Sequence, residues 1–343
     1  MFDREKCTLC GECLMQCPYL AYSEEKAKEE FKKLIDGEDT PVTADCVTCA
    51  ACNMICPEGA NPFDLINDRQ EETGTFKIDE QTLQMFNMAS VMPSKMIKGS
   101  PEKPVINLCT VGDVLPGVIE GQLFDGMTIL QGGDYFCYFG WIHGGKPSMV
   151  NENAQKFVDK LANTGAEEII LFHDDCYAML TNKVKEFGIN VPFKPIHIIE
   201  YLRDYVKEHI NQIEKLNIKA AYQQPCASRY TFDKDKILDE LFELIGVERV
   251  KRKYDKERAL CCGGAQRSMT NVSKEELEKW YMKNLLDAKK AGAEIMVFLC
   301  PFCALNLRSR AKAQGLEPYI ISNLVRLALG EELTNGGAGK IFN

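Results

Sequence analysis

Leu260-Cys261-Cys262-Gly263-Gly264 places two cysteine thiols side by side on one tight loop. The two glycines let the backbone approach whatever the thiols bind, and sulfur is a soft ligand that suits transition metals. Free cysteine is also a common core residue, so a set of buried, inert thiols is the alternative. A cysteine doublet followed by two glycines favours a binding loop over such a core.

Further cysteines follow short apolar runs elsewhere in the chain. The runs at residues 105–108, 168–172, 218–222 and 295–299 are predicted to be buried strands of an α/β domain. Ligands in open α/β sheets gather beyond the carboxyl ends of the strands, so the residues that follow these runs are expected to converge. One candidate site therefore contains five cysteines: Cys226, Cys261, Cys262, Cys300 and Cys303.

Length and composition limit the class of protein. The 343 residues exceed the size at which a single core usually keeps growing, so two or more domains are expected. The net charge of −9 disfavours a nucleic-acid partner. The sequence has no secretory leader and no apolar run of membrane-spanning length, so we expect a cytoplasmic protein without a membrane span of its own. Sixteen cysteines in such a compartment are expected to be metal ligands or redox groups.

Two four-cysteine motifs near the N-terminus share the spacing C-x2-C-x2-C-x3-C, and a proline follows each. In the bacterial ferredoxin pattern, three closely spaced thiolates hold one 4Fe-4S cluster and the fourth reaches over to the other cluster. Closed tetrahedral zinc sites are the alternative. The pattern predicts that cluster 1 is held by Cys7, Cys10, Cys13 and Cys56, and that cluster 2 is held by Cys46, Cys49, Cys52 and Cys17.

Helix signals and linker composition suggest the domain organisation. Helices are predicted at residues 23–37, 62–73 and 79–89, and a linker at residues 99–104. A compact ferredoxin does not need the helix between its two motifs, and in this the segment resembles the more helical ferredoxin module of larger redox complexes. The predicted domains are a ferredoxin module at residues 1–60, a helical linker at 61–103, a first α/β repeat at 104–203 and a second repeat at 204–343.

An internal repeat relates the two α/β segments, because residues 165–176 align with residues 292–303 without a gap. In that register, Tyr138 stands in place of Cys262 and His173 stands in place of Cys300. Three thiolates and one imidazole suffice for zinc or for a further cluster, and vestigial packing is the alternative. The candidate ligands of the first repeat are Cys109, Cys137, His173 and Cys176.

These motifs together resemble the cysteine-rich CCG domains of heterodisulfide reductase, joined behind a ferredoxin module as in its D-type polypeptide or in a fusion of its C-type and B-type polypeptides. The resemblance implies an α+β protein in which a helical bacterial-type module for two 4Fe-4S clusters precedes an α/β CCG domain of two related repeats. It also implies a degenerate first repeat and an intact second one. There, a non-cubane 4Fe-4S cluster with a catalytic role would be held by Cys226, Cys261, Cys262, Cys300 and Cys303.

The resemblance further implies an oxidoreductase subunit. Electrons would come from a flavoprotein, an iron-sulfur protein or a membrane cytochrome or quinone subunit, and would reduce a disulfide or related sulfur substrate at the CCG site. The alternative is a pure electron-transfer subunit that links a flavin dehydrogenase to a membrane quinone partner, and a zinc-stabilised scaffold is a third hypothesis. Both redox roles allow membrane association through a partner subunit.

Three other residues are candidates for supporting roles. His197 would donate a proton to a leaving thiolate, because histidine titrates near neutrality, and a structural histidine at a helix start is the alternative. Arg229 and Arg267 lie near the cysteines in sequence. Each is a candidate for binding an anionic substrate or balancing cluster charge, with a surface role as the alternative.

Overall fold

The computed structural model describes residues 1–115 and 117–333. Within these residues, the N-terminal part is helical and the remainder forms two sheets flanked by helices. None of the described helices is both long and apolar enough to cross a membrane. The N-terminal helices are α1 (Glu12–Met15), α2 (Glu24–Asp36), α3 (Val42–Asp45), α4 (Ala51–Ile55), α5 (Pro62–Thr73) and α6 (Glu80–Ala89).

Helix α2 illustrates how local signals build the N-terminal module. The Ser23 side chain accepts a hydrogen bond from the Lys26 backbone N–H, and Gly37 ends the helix in a left-handed conformation with φ of 78°. Phe31 and Leu34, on the apolar face of the helix, are buried in the core of the module. The helix predicted at residues 23–37 is therefore confirmed, and its two terminal residues act as caps.

The first sheet has the strand order β1-β3-β2-β4-β5. Its strands are parallel except for β1, which runs antiparallel to β3 at the edge. The strands are β1 (Lys95–Ile97), β2 (Val105–Asn107), β3 (Thr128–Gln131), β4 (Glu168–Leu171) and β5 (Lys194–His197). The helices of this repeat are α7 (Val111–Val114), α8 (Pro147–Ala162), α9 (Asp174–Ala178), α10 (Val184–Glu186) and α11 (Ile198–Glu208).

The second sheet is parallel throughout and has the order β7-β6-β8-β9. The two repeats pack against each other through a shared apolar core that includes residues of both. The strands are β6 (Ile218–Gln223), β7 (Val247–Arg249), β8 (Ile295–Phe298) and β9 (Glu317–Ile320). The helices are α12 (Lys234–Ile245), α13 (Lys274–Lys290), α14 (Pro301–Ala313) and α15 (Ile321–Ala328).

The two sheets have the same topology once edge strand β1 is set aside. The order β3-β2-β4-β5 in the first corresponds to β7-β6-β8-β9 in the second. The four strands predicted from the sequence are β2, β4, β6 and β8, and each ends within one residue of the predicted end. The predicted α+β architecture, with a helical N-terminal module and an α/β domain of two related repeats, is confirmed.

The structure differs from the predicted domain boundaries in two places. The linker predicted at residues 61–103 contains α5, whose Ile66 is buried in the core of the N-terminal module, and β1, which joins the first sheet. The boundary predicted at residue 203 falls inside α11, because the apolar stripe of that helix continues from Leu202 to Val206. Residues 334–343 of the predicted second repeat lie outside the described residues.

A buried ion pair fixes the N-terminal module against both repeats. A carboxylate oxygen of Asp64 on α5 accepts a 2.7 Å hydrogen bond from Lys183 Nζ in the first repeat. The other oxygen accepts a 2.7 Å hydrogen bond from the Tyr230 hydroxyl in the second repeat. Burial alone would raise the pKa of Asp64, but the charges of Lys183 and of the Met1 ammonium together outweigh it and hold that pKa below its usual value. The module is thereby fixed where the two repeats meet.

Candidate metal centres

The cysteines of the two ferredoxin motifs line two separate cavities. Each set contains three cysteines of one motif and the last cysteine of the other. The fourth cysteine of each motif therefore lines the cavity of the other motif, as the ferredoxin pattern predicts. The first cavity is lined by Cys7, Cys10, Cys13 and Cys56. The second is lined by Cys17, Cys46, Cys49 and Cys52, with Cys13 at its edge.

Both motifs adopt the same unusual backbone. Leu9 and Gly11 between the cysteines of the first motif have φ of 55° and 81°, and Thr48 and Ala50 at the matching positions of the second have φ of 55° and 57°. A non-glycine residue in this left-handed region costs roughly 1–2 kcal/mol. Two strained loops of the same form indicate that the backbone is shaped to direct the cysteines inward.

The donor set of these cavities fits iron-sulfur clusters. Burial raises the pKa of the Cys46 and Cys52 thiols above the usual value, and that of Cys17 to about 11. Thiols in such an environment ionise when a cation binds them, since the thiolate is the ligand form. All-cysteine ligation in two sets of four is the chemistry of paired 4Fe-4S clusters.

The five cysteines of the second repeat form a continuous series of sulfur contacts. Each thiol lies close enough to shift the pKa of the next, in the order Cys226, Cys261, Cys262, Cys303 and Cys300. Three segments bring them together: the turn after β6, the doublet loop, and the start of α14, where Cys300 is the N-cap. The structure thus assembles residues that are up to 77 positions apart in the chain.

Gly263 is required by the doublet loop. It has φ of 80°, and a Cβ there would lie 2.2 Å from the Tyr281 ring. Hydrogen bonds from Cys261 and Cys303 lower the pKa of Cys262 to about 6. A thiolate is therefore available in this set near neutral pH, before any metal is considered.

The first repeat contains a smaller set of thiols. Cys109, Cys137 and Cys176 are buried, and their sulfur atoms lie within 4.8 Å of one another. Burial opposes ionisation of Cys109, but hydrogen bonds from the other two thiols outweigh it and lower its pKa. Three thiols with one favoured thiolate form a candidate metal site.

His173 does not complete that site, which corrects the predicted ligand set. Its Nε2 lies 3.3 Å from Cys300 Sγ in the second repeat. Burial would lower the pKa of His173, but the charges of Asp175 and Cys300 outweigh it and raise that pKa well above its usual value. These neighbouring groups favour the protonated imidazole, and the His173 side chain lies at the site of the second repeat and not at the thiols of its own.

The backbone also revises the predicted match between the two cysteine loops. Tyr138 has φ of 59°, and Gly263 has φ of 80°, so each is the left-handed residue that follows a cysteine. By backbone conformation, Cys137 therefore corresponds to Cys262. The residue that stands in place of Cys261 is then Phe136, and Tyr138 occupies the glycine position.

His197 has the features of a helix cap. It is 1% exposed, and its Nδ1 accepts a 3.1 Å hydrogen bond from the Ile199 backbone N–H at the start of α11. The Glu200 side chain accepts a hydrogen bond from the His197 backbone N–H, which completes a capping box. Burial lowers the pKa of His197 to about 3, so the ring is neutral near pH 7 and carries no proton for donation. The geometry favours the structural alternative.

Two residues that sequence reasoning did not select link the N-terminal module to the CCG domain. Tyr19, two residues after Cys17, accepts a 2.8 Å hydrogen bond at its hydroxyl from the Cys261 backbone N–H. His143 Nδ1 lies 3.1 Å from the Oγ1 atom of Thr48, and Thr48 stands between two cysteines of the second motif. The only available signal was that each lies a few residues after a motif cysteine.

Comparisons with known proteins agree with these sites. Residues 6–61 match the family model of the 4Fe-4S dicluster domain, and residues 220–308 match that of the cysteine-rich CCG domain. The chain is 23% identical to the D-type polypeptide of the dihydromethanophenazine:CoB--CoM heterodisulfide reductase of Methanosarcina mazei, over 97% of this chain and 95% of that protein. The chain is thus similar over nearly its whole length to a heterodisulfide reductase D-type polypeptide. The two family models cover both ferredoxin motifs and the five-cysteine set.

Other relatives extend the comparison. The D-type polypeptide of the same reductase from Methanosarcina acetivorans is 24% identical, over 96% of this chain and 95% of that protein. The B-type polypeptide of the fumarate reductase (CoM/CoB) of Methanothermobacter marburgensis is 22% identical, over 94% of this chain and 71% of that protein. The chain is therefore an iron-sulfur redox protein related to subunits of heterodisulfide and fumarate reductases.

One solved structure shares the fold. A hypothetical protein from Helicobacter pylori superposes with a TM-score of 0.53 at 11% sequence identity. The match covers 80% of this chain and 59% of that chain, so it concerns the fold alone.

Proposed function

We propose that the chain passes electrons from a partner subunit through two 4Fe-4S clusters to a non-cubane 4Fe-4S cluster at the five-cysteine set, where a disulfide or related sulfur substrate is reduced. When bound, the ferredoxin clusters supply one-electron transfer, and the CCG cluster supplies iron at which a sulfur substrate binds. The residues of the chain hold the three clusters in a row and direct the substrate to the CCG cluster.

The order of the three sites is the observation that carries this proposal. Tyr19, next to Cys17 of the second cavity, binds the backbone of Cys261 in the CCG set at 2.8 Å. Burial raises the pKa of Cys49, and the neighbouring charge of Cys226 raises it further, so these two thiols lie close enough to interact. The second ferredoxin cavity is therefore adjacent to the five-cysteine set.

The first ferredoxin cavity forms the other end of the series. Cys13 lines both ferredoxin cavities and so lies between them. Cys7, Cys10 and Cys56 are only partly buried. Electrons supplied at the surface by a flavoprotein, an iron-sulfur protein or a membrane subunit would enter here. They would leave through the second cavity toward the CCG set.

An apolar rim beside the CCG set favours a substrate role over a sealed relay. Phe302 and Leu305 on α14 are 44% and 40% exposed, although Cys303 between them is buried. Asn306 Nδ2 lies 4.0 Å from Cys262 Sγ and also faces this side of the helix. A thiol or disulfide with apolar arms would approach the cysteines across this rim, where burial of apolar surface contributes to binding.

A pure electron-transfer role is the second candidate. It is favoured by the similarity to a polypeptide of a fumarate reductase, because fumarate, the substrate for which that enzyme is named, is not a disulfide. In this role the chain would link a flavin dehydrogenase to a membrane quinone partner, and the CCG set would act as a further relay.

The first repeat has a separate proposed site. Cys109, Cys137 and Cys176 would hold zinc or a further cluster through three thiolates. The fourth position would be taken by a ligand other than His173, since that imidazole lies against Cys300. The site would be structural, because its cysteines are buried.

The test is anaerobic single turnover. Fully reduced protein is combined either with an unsymmetrical disulfide of two small thiols or with a quinone analogue. Cluster absorbance and the release of thiols are then followed over time. The proposal expects rapid reoxidation by the disulfide with two thiols released per molecule. Reoxidation by the quinone alone favours the relay role, and purified protein that contains zinc but no iron contradicts both.

A further inference from the structure

Arg229 is a buried cation without an anionic protein partner. It is 2% exposed and lies in the turn Ala227–Tyr230, directly after Cys226. Its Nη2 donates a 2.9 Å hydrogen bond to the Ala259 carbonyl, whereas Nε and Nη1 have no hydrogen-bond partner. Within residues 1–115 and 117–333, no carboxylate forms an ion pair with it. An isolated buried charge costs several kcal/mol, so this guanidinium requires an anion that the protein side chains do not supply.

Another buried arginine of the same repeat has the partners that Arg229 lacks. Arg249 donates to Asp239 at 3.0 Å and to Asp255 at 2.7 Å. Carboxylates are thus used in this repeat to neutralise a buried guanidinium. Arg252 of the same repeat leaves only its Nε without a hydrogen-bond partner, whereas Arg229 leaves both Nε and Nη1, and this larger deficit points to a specific anion.

The thiols of two different candidate clusters lie around Arg229. The turn that carries it packs against α4, which begins two residues after Cys49. Burial raises the pKa of Cys49, and hydrogen bonding to Cys261 together with burial raises that of Cys226. The charge of Arg229 acts in the opposite direction on both thiols, so it is close to each.

We propose that Arg229 is a positioning residue shared by the second ferredoxin cluster and the CCG cluster, and that its Nε–H and Nη1–H groups donate hydrogen bonds to anionic sulfur of both. This inference rests on the proposed function. The guanidinium balances negative charge between the two ligand sets and stabilises the more negative, reduced form of each. It thereby raises both reduction potentials and keeps the two sites matched for electron transfer.

The test compares the reduction potentials of four forms of the anaerobically purified full chain: wild type, Arg229→Gln, Arg229→Lys and Arg267→Gln. Arg267 is the matched control, because it lies five residues after Cys262, much as Arg229 lies three residues after Cys226, but it is exposed to solvent. Potentials are measured by redox titration followed by electron paramagnetic resonance, together with iron and labile-sulfide content.

We expect Arg229→Gln to lower the potential of the CCG cluster and of one ferredoxin cluster, and to leave the other ferredoxin cluster unchanged. Each fall should correspond to at least a tenfold change in the reduction equilibrium, which is ~59 mV for one electron. Arg229→Lys should restore most of the shift, since the charge remains, and Arg267→Gln should change no potential.

Unchanged potentials in an Arg229→Gln protein with wild-type iron content would overturn the inference, and so would an equal fall of all three. Should the Gln variant lose iron, wild-type protein labelled with nitrogen-15 in its arginine side chains decides the question. Hyperfine coupling of that nitrogen to a reduced cluster is expected, and it should vanish in Arg229→Lys. Absent or persistent coupling contradicts the role of Arg229. Wild-type protein without iron overturns the proposed function itself, and this inference with it.

Discussion

The two repeats of the CCG domain share one strand order but hold different sets of sulfur atoms. In the second repeat, five cysteines form a continuous series of contacts between three segments. In the first, three buried cysteines lie within 4.8 Å of one another, and the histidine at the fourth position contacts Cys300 instead. The first repeat thus contributes a side chain to the second repeat's site. The two repeats therefore share one architecture and differ in the loops that carry their site residues.

The first repeat also supports the electron-transfer module. Lys183 pairs with Asp64 of the N-terminal module, and His143 lies beside Thr48 between two motif cysteines. The second repeat contacts the same module through Tyr230 and Cys261. In the proposed function, the second repeat carries the redox chemistry and the first mainly anchors the module, and the following predictions test that division.

The largest effect is expected from removing one thiol in each repeat. Cys262→Ser should abolish the CCG cluster and disulfide reduction, and leave both ferredoxin clusters intact, because Cys262 contacts both Cys261 and Cys303. Cys137→Ser should leave the CCG cluster and disulfide reduction in place. Iron analysis and spectra of the reduced proteins measure both results. Equal loss of activity in the two variants would refute the division of roles.

A gain of ligands in the first repeat should be nearly as informative. The double variant Phe136→Cys with His173→Cys gives that repeat five cysteines at the positions that the backbone conformation identifies. We expect it to bind additional iron per chain, because the two repeats share their strand order and differ in their ligands. Tyr138→Cys with His173→Cys is the control and should bind less, since Tyr138 occupies the left-handed position. The reverse order would contradict the revised match between the loops.

A stability effect of several kcal/mol should distinguish the two anchors of Asp64. Lys183→Met removes one of the two cations at a buried carboxylate and leaves the N-terminal ammonium of Met1, 2.7 Å away, as its partner, so it should cost at most about 3–5 kcal/mol. Tyr230→Phe removes a neutral hydrogen bond and should cost about 0.5–1.5 kcal/mol. Calorimetry of the anaerobic proteins provides the comparison.

The pH dependence of that stability follows from the depressed pKa of Asp64. The stabilisation by the pair is fully present above about pH 4, the usual pKa of an aspartate in an unfolded chain. It is lost as the pH falls through the lower pKa of the folded state. Lys183→Met should reduce this part of the acid sensitivity, and the Met1 ammonium should keep the remainder. An unchanged profile would show that the pair does not fix the module.

The smallest effect is expected at the start of α11. His197 caps this helix, whereas the matching residue before α15 in the second repeat is Ile320, which forms no side-chain cap. His197→Asn keeps a capping acceptor and should retain stability and activity, and His197→Ala should cost about 1 kcal/mol. Turnover at several pH values separates the roles, since a proton donor would lose activity in both variants.

Local patterns in the sequence were sufficient for much of the fold. Ser23 and Gly37 mark the ends of α2, and the apolar runs before Cys226 and Cys300 mark β6 and β8. The ferredoxin spacing likewise predicted which cysteines share a cavity, because motif geometry is set over a few residues. Such signals are read from the chain itself and do not depend on how its domains pack.

Contacts between repeats could not be predicted in this way. Nothing in the local sequence indicates that His173 faces Cys300, 127 residues away, or that Arg229 is buried with no carboxylate partner among the residues that the structure describes. Both facts arise from the packing of one repeat and the N-terminal module against the other. The match of Tyr138 to Gly263 was also hidden, because a tyrosine carries no signal for left-handed backbone.

The central claim is that a sulfur substrate binds at the five-cysteine set of the second repeat. The most direct test is to oxidise the protein with a thiol-disulfide pair and record its electron paramagnetic resonance spectrum with ordinary and with isotopically labelled thiol. We predict a new cluster signal whose linewidth broadens with the labelled thiol, persists in Cys137→Ser and is absent from Cys262→Ser. A spectrum that does not depend on the thiol, or a signal lost in Cys137→Ser and kept in Cys262→Ser, would contradict the claim.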